Sequence, residues 1–174
     1  MCFDLEKGLV IHCILGFELL AYLSNEEHRN LLECSSQQQP LALNLTEDYF
    51  ISHFAKQTSD DVTDILSTEK VTVNFHSYCL TPENFAKSEA LRNFWYVLST
   101  NKDWDDLEFI SLMEAKNYPM WGSQYHPEKN AYEWTPKYPD IPHFKDAIHA
   151  SAHQAEFFVE VREFTIMTDL ILLI

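Results

Sequence analysis

Two residues in the last third of the chain have the types and spacing for acid–base work. His126 and Glu128 flank Pro127. Proline disfavours the α region for the residue before it and so holds His126 extended. In an extended segment, residues i and i+2 face the same side. A carboxylate beside an imidazole fixes its tautomer and stabilises the imidazolium, which suits a general base acting on a thiol. Taken alone, His-Pro-Glu is a weak signal, and a surface turn is the favoured reading.

The thiol candidates are Cys2, Cys13, Cys34 and Cys79. Their spacing matches neither a zinc pattern nor a dense disulfide framework. One bridge is possible, and reduced thiols in a core are the simpler expectation. No metal site is implied. His143, His149 and His153 lie near one another, but no cysteine or carboxylate nearby completes a tetrahedral set.

The elements that must position these groups are legible in part. Gly8 to Cys13 (GLVIHC) is a short β-type run, and Phe17 to Leu23 (FELLAYL) reads as a helix. Strand, tight turn and helix in that order open an α/β fold. The polar, Gln-rich stretch from Glu26 to Pro40 reads as loop. Lys70 to Phe75 alternates as a strand, and Thr81-Pro82-Glu83 starts a helical or turn segment. Phe94 to Ser99, a turn over residues 101–106 and Leu107 to Glu114 read as a hairpin, with Met120 to Tyr125 as a further strand. Lys145 to Phe164 carries Ala147, Ile148, Ala152, Ala155, Phe158, Val159 and Phe164 at helical spacing. Thr165 to Ile174 is an apolar tail, either a buried strand, a docking tail or an aberrant terminus, and is too short to span a membrane.

The 174 residues are expected to form one domain with a genuine core. A net charge of −15 leaves no basic patch for phosphates, which excludes a nucleic-acid partner. Three glycines leave no phosphate-cradling loop, and no cofactor is implied. Residues 1–7 are acidic where a signal peptide would be basic.

The stretch YPMWGSQYHPEKNAYEW, from Tyr118 to Trp134, resembles the block that ends the catalytic domain of γ-glutamyl hydrolases. These are cysteine peptidases built on the class I glutamine amidotransferase fold. Asn74-Phe75-His76, the strand–turn–strand from Phe94 to Met113, Pro142-His143 and the helix core from Gln154 to Val159 are similar to family segments in the same order. Leu15-Gly16-Phe17-Glu18 matches the nucleophile region, so the resemblance runs from about Leu9 to Arg162.

The resemblance implies a three-layer α/β/α sheet of the flavodoxin-like kind, truncated at the N-terminus. His126 becomes the catalytic base, Glu128 its orienting carboxylate, and Glu18 and His76 the lining of a γ-glutamyl pocket. The implied reaction is cleavage of γ-linked glutamate from folate polyglutamates by a thiol. A homodimer is a further possibility. The family is lysosomal or secreted, and Asn44-Leu45-Thr46 is a glycosylation sequon, whereas the opening residues point to the cytoplasm.

The nucleophile elbow departs from the family pattern of Gly-x-Cys-x-Gly-x-Glu. In register, His12 takes the first glycine and Ile14 the cysteine, with Cys13 one residue early. A one-residue slip turns a strand side chain to the opposite face, and isoleucine forms no acyl intermediate. Three readings follow. The chain is an inactive or impaired hydrolase, a working one that inserts Ile14 after a nucleophilic Cys13, or a binding or dimerisation module that keeps the pocket without the chemistry. In the first, Cys13 is a small buried hydrophobe.

Overall fold

The computed structural model describes residues 14–25 and 30–171. The order of elements among them is α1 (Ile14–Leu23), β1 (Leu31–Leu41), β2 (Asn44–Leu45), α2 (Glu47–Ile51), α3 (His53–Gln57), α4 (Asp60–Thr68), β3 (Thr72–Leu80), α5 (Pro82–Lys87), α6 (Glu89–Phe94), β4 (Trp95–Lys102), β5 (Glu108–Ala115), β6 (Trp121–Ser123), α7 (Lys129–Tyr132) and α8 (Lys145–Ile171). The α/β class expected from the sequence is the class observed. Among the described residues no helix is long and apolar enough to cross a membrane. The GLVIHC run, His12 and Cys13 lie outside the described residues.

Strands β2, β4, β5 and β6 form one sheet in that order, and β1 pairs with β3 in a second. Every pairing recorded among them is antiparallel. The short connection between β4 and β5 permits only a hairpin, because parallel neighbours need a long crossover. Its turn is organised by Asp103, whose Oδ1 accepts the Asp105 and Leu107 backbone N–H groups at 2.9 and 2.8 Å. Asp106 takes the left-handed conformation there (φ 64°), a region that aspartate tolerates better than most residues.

Helices cover the larger sheet on both sides. Neighbouring β5 residues point to opposite faces: Leu112 joins a cluster with Tyr49, Phe54, Leu66 and Phe157, and Met113 joins one with Phe17, Leu20, Leu91 and Trp95. Helix α1 approaches so closely that a Cβ on Gly122 would stand 3.1 Å from both Phe17 Cδ2 and Met113 Cε. A side chain there would require Phe17 or Met113 to give by a few tenths of an ångström.

The stretch read as loop from Glu26 to Pro40 contains β1. Its polarity suggested exposure, yet Ser36 and Gln39 are buried. The Ser36 hydroxyl donates to Gln39 Oε1 at 2.6 Å, and Gln39 Nε2 donates to the Lys102 carbonyl at 3.2 Å. Buried polar groups are tolerated once they are paired. Residues 47–68 form three short helices, on which the sequence reading was silent. Ser52 and Ser59 cap two of them by accepting the Ala55 and Val62 N–H groups.

Two further expectations are corrected. Cys34 and Cys79 form a disulfide between β1 and β3, with Cα atoms 6.0 Å apart, rather than remaining core thiols. In α8 the inward residues are Ala147, Ala150, Ser151, Gln154 and Phe157, while Val159 is exposed. The helix was legible; its face was not, because Ser151 and Gln154 point inward to polar partners. The helical backbone continues to Ile171, so residues 165–171 are not a strand.

A buried carboxylate ties this architecture together. Glu114 on β5 accepts from the His53 and Phe54 backbone N–H groups at 2.8 and 2.9 Å and from Trp121 Nε1 at 2.7 Å. It satisfies the first N–H groups of α3 and complements that helix's positive end. Glu114→Ala leaves three donors without an acceptor and is expected to lower stability by at least about 3 kcal/mol. Glu114→Gln keeps one carbonyl oxygen and is expected to cost less. Urea unfolding of the two variants beside the parent measures the difference, and equal losses would refute this assignment.

Candidate active site

His126 follows β6 by three residues, and its backbone N–H donates to the Val73 carbonyl on β3 at 2.8 Å. Pro127 is held in turn, because its carbonyl accepts the Ser151 hydroxyl of α8 at 2.5 Å. The residues after it are fixed by Asn130, whose Nδ2 donates to the Val71 carbonyl at 2.8 Å. The loop bearing the histidine is therefore anchored to β3 at Val73, to the residue just before β3 at Val71, and to α8 at Ser151.

His126 Nδ1 lies 2.7 Å from Glu128 Oε1. The expected pairing is present, but Pro127 and Glu128 lie in a turn leading into α7, not in an extended strand. Side-chain exposure is 16% for His126 and 51% for Glu128, so the imidazole is sheltered and its carboxylate faces solvent. Burial acts to raise the Glu128 carboxyl. The bond from His126 and the charge of Lys129 outweigh it and hold the group below its ordinary value of 4.5. With Nδ1–H directed at the carboxylate, Nε2 is left with a free lone pair.

Aromatic groups wall this pair. The Phe75 ring meets the His126 ring edge-on at 6.0 Å, and Tyr138 packs on Phe75 at 5.1 Å. Lys129 Nζ sits 4.7 Å above the same Phe75 ring and pairs with Glu133. Trp134 stacks on His143 at 4.0 Å, and His143 Nδ1 lies 2.8 Å from the Asn130 carbonyl. Phe75, Lys129 and Tyr138 were not singled out from the sequence, although Phe75 sits inside the quoted Asn-Phe-His segment.

The remaining candidates are placed as follows. Glu18 is half-buried on α1; burial raises its carboxyl, and the Gln124 carboxamide beside it offsets part of that shift. Gln124 is itself fully buried. Its side-chain nitrogen and oxygen have no other partner among the described residues. Its signal lies in spacing, two residues before His126. His76 is 2% exposed on β3, with Nε2 3.2 Å from Asn74 Oδ1. Burial brings His76 down to about 4, with the charge of nearby His126 acting in the same direction. Ile14 is the first residue of α1.

An imidazole paired with a carboxylate on an α/β framework, with the half-buried Glu18 on α1, is the arrangement these residues present. No family model matches the chain. Among curated proteins, the gamma-glutamyl hydrolase of Mus musculus is 39% identical over 145 residues, covering 83% of this chain and 45% of the mouse protein. That of Homo sapiens is 37% identical over 145 residues, with the same two shares of 83% and 45%. Gamma-glutamyl hydrolase 1 of Arabidopsis thaliana is 32% identical over 146 residues, covering 83% of this chain and 41% of the plant protein. Over the residues it shares with these relatives, the chain belongs to the γ-glutamyl hydrolase family. It spans less than half of their length.

The linkage at Glu128 has a defined sign. Its folded value lies below the unfolded one, so the pair's contribution is present above the unfolded value and is lost as pH falls through the folded one. Carbon-detected NMR titration is expected to place the Glu128 midpoint below 4.5, and His126→Ala is expected to move it upward. An unmoved midpoint would remove the bond from the account.

Proposed function

We propose that this chain carries a γ-glutamyl hydrolase site whose base is assembled and whose nucleophile is not, so that it takes γ-linked glutamate of the folate polyglutamate class and cleaves it poorly or not at all. The observation that carries the reading is the 2.7 Å pairing of His126 Nδ1 with Glu128 Oε1, on a chain similar to named γ-glutamyl hydrolases.

In a competent site, His126 Nε2 takes the proton of a cysteine thiol, and the thiolate attacks the γ-amide carbonyl carbon. The imidazolium then returns the proton to the leaving amine, and water hydrolyses the thioester that remains. Glu128 holds the ring in the tautomer this requires and stabilises the imidazolium. Glu18 and His76 contribute to the γ-glutamyl pocket, Glu18 from α1 and His76 from β3. Ile14 stands in the family's nucleophile position and supplies neither a proton nor an electron pair.

The test is hydrolysis of a γ-glutamyl-linked folate by the parent and by Ile14→Cys. Only the variant is expected to cleave, and adding His126→Ala to it is expected to lower its rate on the order of 100- to 10,000-fold. Cleavage by the parent that disappears in Cys13→Ser would overturn the assignment of Ile14 and make Cys13 the nucleophile.

A further inference from the structure

The Cys34–Cys79 disulfide does not stand alone between its strands. His76 Nδ1 lies 3.4 Å from Cys34 Sγ and 3.5 Å from Cys79 Sγ, and the three ligand atoms fall within 4.8 Å of one another. The direction of the imidazole lone pair follows from its neighbours. Asn74 Nδ2 donates to the Gln39 carbonyl at 3.2 Å and lies 3.4 Å from the Thr72 carbonyl, which leaves Asn74 Oδ1 as the atom facing His76. That oxygen only accepts, so His76 Nε2, 3.2 Å away, carries the hydrogen. Nδ1 is the ring nitrogen that faces the two sulfurs.

These separations suit a soft metal ion. Zinc bonds of about 2.3 Å to sulfur and about 2.0–2.1 Å to nitrogen, at tetrahedral angles, place sulfur and nitrogen about 3.5 Å apart. The hydrogen bond from Nε2–H to Asn74 is the outer-shell contact that orients a ligating histidine. Cys79 and His76 are buried, whereas Cys34 is half-buried and lines a surface depression with Glu33, Ser35, Asp103, Asp105 and Leu107. Asp103 is already engaged by three backbone N–H groups, of Ser35, Asp105 and Leu107. It walls the depression.

We infer that reduction of Cys34–Cys79 converts this cluster into a binding site for one soft ion of the zinc type, held by two thiolates and His76 Nδ1, so that disulfide and metal are alternative occupants of one place. A dithiol reductant supplies the two electrons and two protons, leaves as its own disulfide, and gives Cys34 and Cys79 as thiols. Metal binding then displaces both thiol protons to solvent.

The experiment uses the full chain carrying Cys2→Ser and Cys13→Ser, reduced by a dithiol, desalted without oxygen and titrated with cobalt(II). A sulfur-to-cobalt charge-transfer band saturating at a single ion per chain is expected, bleached by zinc and missing from the oxidised chain. Asn74→Ala is expected to weaken affinity about 10- to 100-fold, and Cys79→Ser to abolish the band. No band in the reduced chain, or one undiminished in Cys79→Ser, would overturn the inference. A second measurement avoids variants at the site altogether: zinc is expected to slow alkylation of Cys34 and Cys79 at least about 10-fold, and equal rates with and without zinc would also overturn it.

Discussion

Strand β5 is buried on both faces, and this constraint governs most of what surrounds it. Leu112 and Met113 face opposite clusters, so water reaches neither side of the strand. Every polar group near it then needs a partner within the protein. Glu114 supplies one solution, binding α3 to the sheet. Ser111 and Asn101 supply another: the Ser111 hydroxyl donates to Asn101 Oδ1 at 2.6 Å, and Asn101 Nδ2 donates to the Ala42 carbonyl at 2.6 Å. Gln124 continues the pattern, its backbone N–H donating to the Ser111 carbonyl at 2.8 Å.

The site grows from the same economy. The segment after β6 leaves the larger sheet at Gln124 and docks on Val73 of β3 and on Val71 just before that strand, so the imidazole is carried on a loop fixed between the two sheets. Ser151 of α8 closes the third side. The histidine is thus held by backbone and helix contacts on three sides.

Much of this was legible where periodicity and punctuation agreed. The β4–β5 hairpin announces itself through two β-rich runs around an aspartate-rich turn. The α1 helix and the Thr81-Pro82 start of α5 follow from apolar spacing and cap chemistry. His126 and Glu128 were visible as a pair, although the turn that joins them was taken for extended chain. Two of the misses share one physical reason: polarity was read as exposure. The Gln-rich β1 is polar because it is paired inside, and the inner face of α8 includes Ser151 and Gln154 because they meet polar partners. The Cys34, His76 and Cys79 cluster was invisible because 42 residues separate Cys34 from His76, and only the pairing of β1 with β3 joins them.

The cross-link between β1 and β3 has a topological consequence. It closes a covalent ring over a sequence separation of 45 that holds β2 and helices α2, α3 and α4. A protease that cuts the backbone once inside the ring leaves a single molecule of unchanged covalent mass apart from one added water. The nick stays hidden on a non-reducing gel and appears as two fragments only after a thiol is added. The ring's continuity and the chain's continuity are therefore separate properties, and only the oxidised protein has both to lose.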